Sequence, residues 1–126
     1  MLATTTPSRA PLIRNEWVHE GMHINAIGAD APGKQELDPA ILARAQVFVD
    51  DPSQAVHSGE INVPIRTGVF REQDIAGTIG EVVIGKKRRR DNDAVTVFDS
   101  TGLAIQDLAI AKIAMQHGKR IDLPFP

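Results

Sequence analysis

The chain has 126 residues, is 42% hydrophobic and 24% charged, and carries a formal net charge of −2 with no cysteine. That is the size and composition of one globular domain with a modest core. The charge balance leaves no global field toward nucleic acid or a membrane surface. The missing thiols exclude a disulfide framework, a thiolate metal site and a cysteine nucleophile.

No apolar run approaches the roughly 18–20 residues of a transmembrane helix, and Met1 to Arg9 lacks a charged-then-apolar signal layout. The reading is a soluble, cytoplasmic protein.

Met1-Leu2-Ala3 is a short apolar run leading straight into Thr4 to Ser8, as the last residues of a strand lead into its loop. A complete sheet has earlier strands, so the chain is expected to start partway through one. His23 to Ile27 reads as a strand ending at Gly28. Asp38-Pro39 opens a helix, with Asp38 a good N-cap and Pro39 suited to the first helical position. Gln46 to Asp50 is a nearly all-apolar strand, the kind covered on both faces. Asp51-Pro52 repeats the capping pattern, and Ser53 to Ser58 is a short helix stopped by Gly59. Glu72 to Ile75 reads as a helical turn and Lys86 to Asp93 as a polar loop. A third strand covers 95–99. Asp99-Ser100-Thr101 is expected to cap a long helix from Gly102 to His117, stopped by Gly118. Lys119 to Pro126 reads as a loose tail, because Pro124 and Pro126 block regular structure. Strand and helix in alternation predict an α/β fold with a parallel sheet.

In open parallel sheets, ligands bind outside the carboxyl ends of the strands. Four loops leave such ends: Thr4 to Arg9, Gly28 to Lys34, Asp50-Asp51, and Asp99 to Gly102. The densest is Gly28 to Leu37. Its glycines permit close backbone approach; Asp30 is a potential acid or base and Lys34 a potential anion partner. The bland alternative is an Asx-type turn with a solvated lysine. Ser100 lies either in a plain helix cap or at a helix N-terminus that faces a ligand.

The basic run Lys86 to Arg90 is offset at once by Asp91 and Asp93 and has no interleaved aromatic residues, so a solvated loop is expected rather than a nucleic-acid site. Of the histidines, His19 and His23 are separated by Gly21 and do not share a helix face. No metal site is expected. The final helix is apolar nearly all round, from Leu103 through Met115, which predicts burial against another domain or subunit. No Gly-x-Gly-x-x-Gly, Gly-x-Ser-x-Gly or Walker loop is present.

Thr4 to Arg9, then Gly21 to Asp38, then Gly80-Glu81-Val82 and Val97 to Gly102 occur in the order of the ornithine cyclodeaminase/mu-crystallin family. The chain resembles the C-terminal part of that family from Thr4 to about Gly118. The family also contains archaeal-type alanine dehydrogenase and imine reductases.

The resemblance implies a dimeric enzyme with a Rossmann-like nicotinamide domain and a separate substrate and dimerisation domain. Residues 1–101 would be an incomplete C-terminal half of the NAD(P)-binding domain, 102–118 a helix packing toward the dimerisation domain, and 119–126 a tail. The implied chemistry is hydride transfer between an amino-acid α-carbon and NAD or NADP, with cyclodeamination in the ornithine enzyme. Asp30 matches the acid/base residue and Lys34 a residue near cofactor and substrate. Thr6, Ser8 and Gly28 match the cofactor loops, and Ser100 a position near the nicotinamide.

In the family, the phosphate loop and the residues holding the substrate carboxylate come earlier than the matched region. The isolated chain is therefore expected to bind cofactor weakly and to need a missing N-terminal half or self-association. The competing reading is a non-catalytic interaction module derived from this family.

Overall fold

A computed structural model describes residues 1–119. Five strands form one sheet: β1 (Leu2–Thr4), β2 (His23–Ala26), β3 (Gln46–Val49), β4 (Ile75–Thr78) and β5 (Thr96–Asp99). Their order is β1-β2-β5-β3-β4, and every pairing is parallel. The expected α/β class with a partial Rossmann-like parallel sheet is what is found. The strands foreseen at 23–27, 46–50 and 95–99 lie within a residue of those boundaries, and the last of them is inserted between the other two.

Five helices connect or follow the strands: α1 (Pro39–Arg44), α2 (Pro52–Ser58), α3 (Asn62–Arg66), α4 (Ile79–Val83) and α5 (Ala104–His117). The Asp-Pro signals act as the sequence implies. Asp38 accepts from the Ala40 N–H at the start of α1, and Asp51 accepts from the Gln54 N–H at the start of α2. Each proline follows its cap, where the missing N–H costs no helical hydrogen bond.

Residues Glu72–Asp74 form the foreseen helical turn, in 3-10 geometry. Ile75 does not belong to it but begins β4, an edge strand whose Gly77 and half-buried side chains give little strand signal. α4 is held by a capping box in which the Thr78 hydroxyl accepts from the Glu81 N–H and Glu81 accepts from the Thr78 N–H.

Side chains alternate across the sheet. Ile24, Ala26, Val47, Val49 and Val97 point into one core with Leu37, Ile41, Leu42, Ala55 and Ile61. On the opposite face, His23, Asn25, Phe48, Thr96 and Phe98 meet Ile79 and Val82 of α4 around a hollow of about 320 Å3. There His23 hydrogen-bonds Thr96 at 2.7 Å and Asn25 at 3.2 Å.

One expectation is corrected. Asp99, Ser100 and Thr101 do not cap the last helix: α5 starts at Ala104, its N-cap position is Leu103, and no side chain caps it. The acidic and hydroxyl groups of 99–101 are drawn inward instead. Within this chain α5 has no buried residue, and Ile105, Leu108, Ile110, Ile113 and Met115 are all more than half exposed. Among the described residues, no helix is long and apolar enough to cross a membrane. The tail foreseen for 119–126 lies outside the described residues beyond Lys119.

Candidate functional site

Because all five strands run the same way, the loops after β1, β2, β3 and β5 leave the same edge of the sheet, and they are tied to one another there. The first and second loops meet at Gly28. The Ile27 N–H donates to the Thr4 carbonyl at 2.9 Å. A Cβ on Gly28 would lie 2.2 Å from the Thr6 carbonyl oxygen, so only glycine fits this crossing. The fully buried Glu36 carboxylate closes the junction by accepting the Thr6 N–H at 2.6 Å and the Gly28 N–H at 2.9 Å. Further along, the Gln35 N–H donates to the Ser8 carbonyl at 3.0 Å. The Arg9 guanidinium donates to the Pro32 carbonyl at 3.2 Å.

The third and fourth loops meet at Asp50. Its buried carboxylate accepts the backbone N–H groups of Thr101 at 2.7 Å and Gly102 at 3.0 Å. It also accepts the hydroxyls of Thr101 at 2.9 Å and Ser100 at 3.3 Å.

Behind both junctions sits the turn between α2 and α3, where Gly59, Glu60, Ile61 and Asn62 are all buried. Glu60 accepts the Glu36 N–H at 2.9 Å and the Leu37 N–H at 2.7 Å. The Ile61 N–H donates to Asp99 at 3.2 Å. Gly59 leaves room for that carboxyl, since a Cβ there would stand 2.5 Å from an Asp99 oxygen. Among the described residues, the other Asp99 oxygen has no partner. Burial pushes the Glu60 carboxyl up to about 8 against the pull of the Leu37 and Glu36 N–H groups, with the Asp99 and Glu36 charges adding to the rise. Burial likewise pushes Asp99 up to about 7.

Of the residues singled out in the sequence, Thr6, Ser8, Gly28, Asp30 and Lys34 come together on the first two loops. Ser100 lies on the far pair of loops, with its hydroxyl turned in to Asp50. Asp30 is 59% exposed and Lys34 19%, and the lysine amine hydrogen-bonds the aspartate. That bond, more than any other influence, holds Asp30 below the usual carboxylate range. The groups raised by burial are Glu60 and Asp99 instead. The solvated lysine of the bland reading is also absent, since Lys34 is mostly covered and paired. Thr6 accepts the Ser8 N–H at 3.3 Å, and among the described residues its hydroxyl proton has no acceptor. The Ser8 hydroxyl donates to the Ala10 carbonyl at 2.6 Å.

Sequence reading placed Glu36 and Asp50 in candidate loops without giving either a role, and passed over Glu60 and Asn62. The available signal was weak: an acidic residue placed directly against apolar neighbours, as in Glu36-Leu37, Val49-Asp50 and Glu60-Ile61. Among the described residues, no three acidic or histidine side chains are arranged to hold a metal ion. The basic run is a surface loop in which Arg90 pairs with Asp91 at 2.9 Å and Arg89 donates to the Ala94 carbonyl.

A sequence model of the ornithine cyclodeaminase/mu-crystallin family matches residues 1–119. Alanine dehydrogenase of Archaeoglobus fulgidus is 58% identical over 118 residues, which is 93% of this chain and 37% of that protein. The structure of an archaeal alanine dehydrogenase dimer with bound NAD superposes with a TM-score of 0.87 at 52% identity, over 98% of this chain and 41% of that one. The iminosuccinate reductase of Paracoccus denitrificans in complex with NAD+ gives a TM-score of 0.83 at 43% identity, over 93% of this chain and 38% of that one. The chain thus spans well under half the length of the relatives it matches.

Proposed function

Because the chain belongs to the ornithine cyclodeaminase/mu-crystallin family, we propose that it provides the C-terminal side of a nicotinamide site in an enzyme that moves hydride to or from the α-carbon of an amino acid. The observation that carries this reading is the cross-tied loop edge, where Gly28, Thr6 and the Asp30–Lys34 pair stand together at the carboxyl ends of parallel strands. This is where such sheets receive nucleotides. The donor set suits a dinucleotide in part: Thr6 keeps a free hydroxyl proton, Lys34 is a cation and Gly28 lets the backbone come close, whereas the Ser8 and Ser100 hydroxyls are engaged internally.

In this reading Thr6 and the first loop line the cofactor. Lys34 balances negative charge near the reacting carbon, and Ser8 and Ser100 shape the loops rather than donate. Bound NAD or NADP supplies the hydride acceptor or donor. Asp30 is already ionised beside Lys34, and it takes a proton from an amine or water as the α-carbon is oxidised and returns it in the reverse direction. The exposed apolar face of α5 and the edge strand β1 are the surfaces that a dimerisation or substrate domain, or a second subunit, would cover.

The test is calorimetric titration of the 126-residue chain with NAD and NADP, alone and with a co-expressed polypeptide supplying the rest of a family-length enzyme. Weak binding alone and binding restored by the complement are expected. Absence of binding in the complemented complex would refute the reading.

A further inference from the structure

The segment from Gly28 to Leu37 is irregular backbone, and each of its peptide groups needs a partner. The first loop satisfies part of it, through the Ser8 carbonyl, and the Glu36 and Glu60 side chains take the N–H groups at its two ends. Its middle is held by a side chain far away in sequence. Asn62, 1% exposed at the start of α3, accepts the Gly33 N–H at 2.9 Å and donates to the Lys34 carbonyl at 3.0 Å. Its amide also donates to the Gly59 carbonyl within its own turn. One buried amide thus grips the backbone on both sides of Lys34.

We infer that Asn62 is the positioning residue of this site, holding the Gly33–Lys34 backbone so that the Lys34 amine is delivered to Asp30. An exposed ion pair has little preference for one geometry, because two mobile side chains lose entropy in forming it. Here one partner is not mobile. Lys34 is anchored by Asn62 and by its own N–H to the Ala31 carbonyl at 3.1 Å, and its side chain is mostly covered. Gly33 adopts φ of +81°, a left-handed conformation that favours glycine, and a Cβ there would also meet the Arg9 guanidinium at 2.9 Å. Asn62 contributes no atom to the reacting groups and acts through Lys34. Its importance for turnover rests on the hydride-transfer reading above; its control of the Asp30–Lys34 pair does not.

The experiment is a carboxyl-carbon NMR titration of the full chain, comparing wild type, Asn62→Ala, Lys34→Met and the double variant. The Asp30 midpoint should rise in Asn62→Ala toward the value seen in Lys34→Met, and the double variant should rise no further. Two controls, amide chemical-shift dispersion and exchange protection of the strand amides, report whether the fold survives. An Asp30 midpoint unmoved in Asn62→Ala, with both controls in place, overturns the inference. If both controls relax and Asn62→Ala has lost its fold, amide exchange in the unsubstituted chain decides. The Gly33 N–H should then be protected like the strand amides, and exchange at the open-loop rate overturns the inference. A failure of cofactor binding would leave all these outcomes unchanged, so the two proposals fail separately.

Discussion

Gly28 and Thr6 touch backbone to backbone, so closely that a Cβ on Gly28 would lie 2.2 Å from the Thr6 carbonyl oxygen and 2.4 Å from its nitrogen. Neither atom can rotate away. Gly28→Ala must therefore part the first two loops and strain the Glu36 hydrogen bonds that bridge them. Overpacking of this kind costs about 1–3 kcal/mol. Urea denaturation should show the midpoint falling with the slope unchanged, whereas Gly68→Ala, with nothing within 4 Å of its added carbon but a φ of +75°, should cost only about 1 kcal/mol from backbone strain.

The stability of the chain should fall as pH rises. Glu60 and Asp99 have folded-state pKa values raised to about 8 and about 7. The folded protein therefore binds protons that the unfolded chain releases once pH passes its ordinary carboxylate range. The contribution is fully present below about pH 4 and is lost between there and about pH 8, at up to about 1.4 kcal/mol per pH unit for each group. Chemical denaturation between pH 5 and 9 measures the slope. Glu60→Gln, which mimics the protonated acid, should flatten it; a wild-type stability that rises over this range would contradict the assignment.

Asp50→Ala should be among the most destabilising single changes at the loop edge. It strips the Thr101 and Gly102 N–H groups and the Ser100 and Thr101 hydroxyls of their common acceptor. Leaving a buried donor without a partner costs about 1–3 kcal/mol, so a loss of several kcal/mol is expected. Asp91→Ala, on the exposed basic loop, should cost far less. Thermal unfolding of the two variants side by side checks the contrast.

The proposed acid/base role of Asp30 predicts that Asp30→Asn, in an enzyme completed with the rest of a family-length chain, lowers kcat by roughly 10²-fold or more. The substitution keeps the shape and removes the base. Unchanged turnover would remove Asp30 from the mechanism while leaving the fold assignment intact.

The exposed apolar residues of α5 predict concentration-dependent self-association of the isolated chain. Leu108 and Ile113 are 68% and 56% exposed, a cost that pairing relieves. Sedimentation should show assembly, and Leu108→Glu with Ile113→Glu should reduce it. A monomer at high concentration would mean that the helix tolerates water unaided.

The sequence by itself determined the elements that carry local signals. Asp38-Pro39 and Asp51-Pro52 mark helix starts because a carboxylate cap and a fixed φ act within one turn of chain, and both helices begin where those pairs predict. The apolar runs at β2, β3 and β5 declared themselves because a parallel sheet buries its strands. The ordered motifs also identified the family. β4, α3 and α4 went unread: β4 is a half-buried edge containing a glycine, and α3 and α4 have only five residues each, too few for a periodic signal.

Only the tertiary structure decided what the acidic residues do. Asp99 looked like a helix cap, yet its chain neighbours Ser100 and Thr101 turn to Asp50, and its own carboxyl is enclosed by the α2–α3 turn. Asp30 stood out as a potential acid or base and lies in water against Lys34, while Glu60 and Asp99 are desolvated. Burial and pairing join residues dozens of positions apart, such as Asn62 with Gly33 and Asp50 with Thr101. No local pattern of residue types records which distant backbone amide a carboxylate will meet.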